Sequence, residues 1–172
     1  GNRDRWQNVA FERRRRVATL TLGECFEKQG RFLKPLEAVI AELCREKTWV
    51  YPAHDKALAN FNGQAREMDL GAVFVAMELA EADYLLGDKL ATGTRQLIRD
   101  NVRRRVLHPF REMAEGKVKE MGWMRSVHNW NAVCLGSITI AALALEDSPA
   151  DRALYVAAAE RYIRFFLSGF TP

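Results

Sequence analysis

The chain has 172 residues and a formal charge of +4, and it is 48% hydrophobic and 28% charged. This balance excludes an intrinsically disordered or fibrous chain and fits one globular domain with its own core; the positive excess permits an acidic partner without choosing among polysaccharide, nucleic acid and membrane surface. No apolar run approaches the roughly 18 to 20 residues needed to cross a bilayer, and no charged N-region followed by an apolar core and cleavage site marks a signal peptide.

The hydrophobic period is helical nearly throughout. A first helix is predicted over 6–29, with Val9, Phe11, Val17, Leu20, Cys25 and Phe26 at roughly helical spacing and Gly30 as its stop. A second covers 32–46, with Leu36, Val39, Ile40 and Leu43 on one face and Pro35 in its first turn, where a missing N–H does no harm. "TWVYPAHD", 48–55, has no helical period and reads as an ordered loop. The third helix, 69–86, is apolar on most sides, which places it in an inner layer. The fourth runs over 92–108, where Pro109 bends or interrupts it before it continues to about 116. The fifth starts within "SVHNWNAVC", 126–134, and runs to about 145; the sixth covers 149–167, capped by Asp147 or Ser148. Cys25, Cys44 and Cys134 lie far apart on apolar segments, with neither CxxC spacing nor an even-numbered disulfide framework, and read as buried thiols. Six helices joined by short connections, some apolar all round and others one-sided, predict an all-α single domain over 1–172, built of antiparallel helical hairpins in two layers. Both ends read as cut, because Gly1 opens without Met and "FLSGFTP" stops as an apolar segment turns into a loop.

The basic runs at 13–16 and 103–105 invite a nucleic-acid reading. On a helix, consecutive residues point about 100° apart, so four arginines in a row spread around the axis instead of forming a stripe. They are read as a solvated, salt-bridged face, and no nucleic-acid partner is expected, since no helix-turn-helix, zinc finger or RNP-type strand accompanies them.

"TWVYPAHD" supplies Trp49, Tyr51, His54 and Asp55: flat apolar faces suited to a sugar ring and a histidine titrating near neutrality, although taken alone the stretch reads first as a loop pinned into the core by its aromatics with Asp55 holding His54. "GWMRSVHNWNAVC" crowds His128, Asn129 and Asn131 between Trp123, Trp130 and a helix about to be buried. One asparagine would suffice as a helix cap; two amides and a histidine also offer the donors of a binding site. Nucleophile triads, P-loops, HExxH and GxGxxG patterns are absent, and Gly136 and Ser137 read as permitting close helix packing.

"TWVYPAHD", then "MDLGAVFVAMELAEADYLLGDKL", then "HNWNAVCLGSITIAALALED" resemble, in that order, the helical domain of heparinase II/III-like and oligoalginate-lyase-like polysaccharide lyases, over about 10–172. The resemblance implies part of an incomplete α/α toroid, followed in the family by a β-sandwich domain, and a periplasmic or secreted location. It implies β-elimination from uronic-acid glycans: a base removes the C5 proton, an acid protonates the departing C4 oxygen, and donors hold the carboxylate as charge builds on it. By motif position Asn129 would neutralise the carboxylate with help from His128. Asn131, Trp130, Trp123, Trp49 and His54 would bind the substrate, an anionic polysaccharide or oligosaccharide. The family's catalytic Tyr falls beyond Pro172, so the chain alone is expected to be inactive; no cofactor, metal or membrane contact is expected. The alternative is a non-catalytic helical domain that binds glycan or protein.

Overall fold

The computed structural model describes residues 3–170, and among the described residues all regular structure is helical. The helices are α1 (Arg3–Glu27), α2 (Leu33–Arg45), α3 (Leu70–Leu86), α4 (Thr92–Val102), α5 (His108–Ala114), α6 (Asn129–Leu145) and α7 (Pro149–Leu167). Helices α4 and α5 form one rod joined by a π-helical turn, Arg103–Leu107, so the chain folds as six rods, as its periodicity predicts. Three hairpins, α1–α2, α3 with α4–α5, and α6–α7, stack so that α3 packs on both α1 and α6. In the second row α2 packs on α4, and α5 on α7.

Position in the rows explains composition. Helices α3 and α6 are flanked by neighbours and bury residues on several faces, among them Val73, Ala76, Leu79, Ile138, Ala142 and Leu145. Each Leu or Ile so buried contributes about 1.5–3 kcal/mol relative to exposure. The remaining face of the pair is uncovered, with Phe74, Tyr84, Leu85, Ile140 and Leu143 exposed.

Helix α1 departs from its hydrophobic pattern. Its buried stripe is Ala10, Arg14, Val17, Thr21 and Glu24, at regular helical spacing, whereas Val9 and Phe26 are 67% and 84% exposed. Glu24 is inside because it accepts the N–H groups of Gly30 (2.8 Å) and Phe32 (3.3 Å), tying the turn to the start of α2. That turn uses positive φ at Lys28 (57°) as well as at the expected Gly30 (80°).

Pro109 does not break its helix. A proline has no N–H and its ring collides with the carbonyl four residues back; widening the preceding turn to a π-turn, in which the His108 N–H donates to the Arg103 carbonyl, lets the rod continue. The arginines of this rod staple the hairpins. Asp83 of α3, whose carboxylate has no exposed surface, accepts Arg95 Nε (2.7 Å) and Arg99 Nη2 (2.9 Å), and Arg103 reaches Glu146 and Asp147 beyond α6. Arg13, Arg14 and Arg16 also scatter around α1: Arg13 pairs with Glu46, Arg16 with Glu12, and Arg14 is buried rather than solvated. Ser148 caps α7, accepting the Asp151 N–H. Cys44 and Cys134 are buried free thiols, pushed up by desolvation to about 11 and about 12 and therefore neutral, while Cys25 is only partly buried.

Candidate functional site

The loop joining α2 to α3 is ordered by two acids and a tryptophan. Trp49 is 1% exposed, and its indole N–H donates to the Leu43 carbonyl (2.8 Å) at the end of α2. Expected to face a sugar, it instead pins the loop and presents no open ring face. Asp55 does not hold His54. It accepts the Asn60 and Phe61 N–H groups (3.0 and 2.9 Å) and the Asn60 side chain. Burial would raise its carboxyl, but these donors outweigh burial and hold it below its ordinary value.

The partner of His54 is Asp69, fifteen residues on, with Nδ1 2.6 Å from Oδ2. Asp69 is the N-cap of α3, accepting the Ala72 N–H (2.9 Å), and it also accepts the Tyr51 N–H (2.9 Å). One buried carboxylate therefore fixes the loop, the helix start and the imidazole. Because a carboxylate only accepts, Nδ1 of His54 is the donor of this bond, leaving Nε2 as the second ring nitrogen. The ring lies 4.7 Å from that of Trp130.

Trp130 belongs to the opening turn of α6, where the two asparagines separate. Asn131 is fully buried, and its Nδ2 donates to the carbonyls of Trp123 (3.3 Å), Met124 (2.7 Å) and Tyr162 (3.2 Å). It ties the preceding turn to α7 and cannot reach a substrate, contrary to the role expected of it. Trp123 is likewise buried, its indole N–H donating to the Met68 carbonyl (2.8 Å). His128 and Asn129 are exposed. Neither asparagine caps α6; the N-cap is His128, which makes no side-chain cap bond, so among the described residues the positive end of the helix has no capping side chain. The His128 ring meets Trp130 edge-on at 6.5 Å.

Alongside this group stands an aromatic cluster the sequence did not signal. The Tyr51 ring contacts Trp6 (5.8 Å), Phe11 (5.5 Å) and His54 (5.6 Å). It lies so close to Gly71 that a Cβ there would stand 2.4 Å from Cε1. Gly71 is a close-packing glycine and Gly136 is not: nothing lies within 4 Å of a Cβ at Gly136. The Arg14 guanidinium sits 5.2 Å from the Tyr51 centroid and donates to the Trp49 carbonyl, while its Nε and Nη1 are buried without acceptors. Glu78, two turns beyond Gly71, is pushed up to about 7 by desolvation, which outweighs the attraction of Arg14 and is reinforced by Glu81.

The structure thus brings His54, His128, Asn129 and Trp130 together at the start of α6 and removes Asn131, Trp123 and Trp49 into the scaffold. The assembled groups are hydrogen-bond donors, two imidazoles and partly exposed rings, suited to a polar, ring-shaped, anionic ligand. Among the described residues no group of three His, Cys, Asp or Glu side chains is placed to hold a metal, and no helix is long and apolar enough to cross a membrane. Comparison of the chain with protein-family models and with curated proteins returned no match.

Proposed function

We propose that the chain is the substrate-holding part of a polysaccharide lyase of the heparinase II/III-like kind, acting on uronate-containing glycans by β-elimination, with the three stacked hairpins forming part of an α/α toroid. One observation carries this reading: His128 and Asn129 are exposed at a helix start without a side-chain cap, beside a His54–Trp130 pair fixed by Asp69. A uronate carboxylate is a planar anion attached to a sugar ring. The Asn129 amide and the positive end of α6 suit the carboxylate, and Trp130 suits the ring. As the C5 proton leaves, charge accumulates on that carboxylate, so donors already in place lower the barrier without rearranging. His54, oriented through Nδ1, offers Nε2 to a sugar hydroxyl or to a proton in transit. Under this reading the catalytic Tyr comes from beyond Pro172, and the protein works where polysaccharide is met, in the periplasm or outside the cell.

The test is turnover by the longer gene product with a panel of uronate polymers, followed through the ultraviolet absorbance of the unsaturated uronate formed. Asn129→Ala should lower kcat by about 10²-fold or more while leaving the melting temperature unchanged. Full activity in a folded Asn129→Ala protein refutes the carboxylate assignment. Binding of the polymer without turnover in any member of the panel moves the function to a non-catalytic glycan-binding domain.

A further inference from the structure

A second cleft, of about 170 Å³, lies where the π-turn faces the α2–α3 loop, and its lining contains none of His54, His128, Asn129 or Trp130. Lys47, Arg66, Arg104 and Arg105 line it, with Glu67 as the one carboxylate. Elsewhere Arg95, Arg99, Arg103, Arg111 and Arg125 each pair with an acid. None of the four cations of the cleft lies within ion-pairing distance of a carboxylate among the described residues. Among the lining side chains four are positive and Glu67 alone is negative, an excess of three positive charges.

The cleft also has a rigid wall. Arg105 donates from Nε to Asn101 Oδ1 (3.1 Å), from Nη1 to the Lys47 carbonyl (3.3 Å), and from Nη2 to the Cys44 and Glu46 carbonyls (3.2 and 2.6 Å), while its guanidinium lies 4.7 Å over Trp49. Four of the five N–H groups of a guanidinium are thereby spent, fixing the charge and leaving one donor on Nη1. Arg104 donates only to Asn101 Oδ1 (3.0 Å) and is otherwise open. Glu67 is held off by the Asn60 amide, which donates to its Oε2 at 3.0 Å. The volume is below the roughly 300–1,000 Å³ of pockets that enclose a drug-sized ligand, which suits a single charged group.

We propose that this cleft is an oxoanion site that takes one doubly charged tetrahedral group, a phosphate monoester, with Arg105 as its fixed wall and Arg104 and Arg66 closing on it. The Arg104 and Arg66 guanidinium groups can meet such a group with paired N–H donors, and a double negative charge fits an excess of three positive lining charges better than a single carboxylate does. The proposal does not depend on the lyase reading, since the two sites share none of the residues that carry them.

The experiment is a nuclear magnetic resonance titration of the chain with sodium sulfate and, separately, sodium phosphate, ionic strength being held constant with sodium chloride. Saturable shifts of the Thr48, Gly63 and Arg66 amides are expected with at least one of these two dianionic tetrahedral probes. The exposed pair Arg66→Gln/Arg104→Gln should weaken that binding at least about tenfold, with the Trp123 indole resonance unmoved as the sign of an intact fold. Linear shifts with both anions, or equal affinity in the double variant, overturn the site.

Discussion

Asn129 and Asn131 are two residues apart and have opposite fates, decided by the face each takes on α6. Asn131 shares a stripe with Leu135, Ile138, Ala142 and Leu145, all buried, whereas Asn129 is followed on its own side by exposed Gly136 and Ile140. Asn131→Ala strips the donor from the carbonyls of Trp123, Met124 and Tyr162 inside the protein and should cost about 2 kcal/mol in urea unfolding. Asn129→Ala, at the surface, should stay within about 0.5 kcal/mol of the parent. Equal losses would mean that the two amides have been assigned to the wrong faces. The crowding of polar groups in "HNWN" was legible in the sequence, and the helical period already held the means to tell the two apart. Arg14 could have been found the same way, as it falls on the Ala10–Val17–Thr21 stripe; its charge hid it. The pairing of His54 with Asp69 had no such signal, because no period connects a loop residue to a helix cap fifteen positions away.

At the scale of elements, α3 positions the site at one end and is anchored at the other. Gly71 lets the Tyr51 ring lie against the helix, with Trp49 O only 2.9 Å from where a Cβ would stand. Gly71→Ala should therefore destabilise by about 1–3 kcal/mol and displace Tyr51 together with its neighbour His54, seen as shifted His54 ring resonances. Unmoved resonances would show that the loop is held without Tyr51. Twelve residues on, Asp83 joins α3 to α4 through two arginines. Asp83→Ala leaves Arg95 and Arg99 facing each other over an emptied site and should cost about 3–5 kcal/mol, measured by thermal or urea unfolding. A loss below 1 kcal/mol would reduce the pair to surface decoration. Helix order and extent were readable because α2 and α4 carry one-sided apolar stripes while α3 and α6 are unbroken apolar runs. The π-turn was not, since the sequence shows where Pro109 removes an N–H but not whether the chain answers by ending the helix or by widening a turn.

For the whole molecule, all-apolar α3 and α6 pointed to an inner row covered by a second; the second row, α2, α4–α5 and α7, covers one side of the stack, and the opposite face of α3 and α6 is exposed. Whether such rows continue into a ring is a matter of curvature, and a hydrophobic period carries no record of curvature. Two carboxyls, buried Asp55 and half-buried Glu78, next make global stability depend on pH in opposite senses. Asp55 titrates below its ordinary value of 3.8, so its contribution is present above that value and is lost as pH falls through the lower folded value. Glu78 titrates at about 7 in the folded chain against 4.5 when exposed, so the folded state holds a proton that the unfolded chain releases. Stability due to Glu78 is full below 4.5, declines as pH rises, and is gone above about 7. The groups that set this shift are its own burial, the opposing charge of Arg14 and the like charge of Glu81. Glu78→Gln keeps the shape and removes the titration. The melting temperature of the parent minus that of the variant, taken at fixed ionic strength, should therefore fall steadily from pH 4.5 to pH 7 and be flat beyond. A difference that is constant across that window would show Glu78 to be ionised in the folded chain, with Arg14 prevailing over burial.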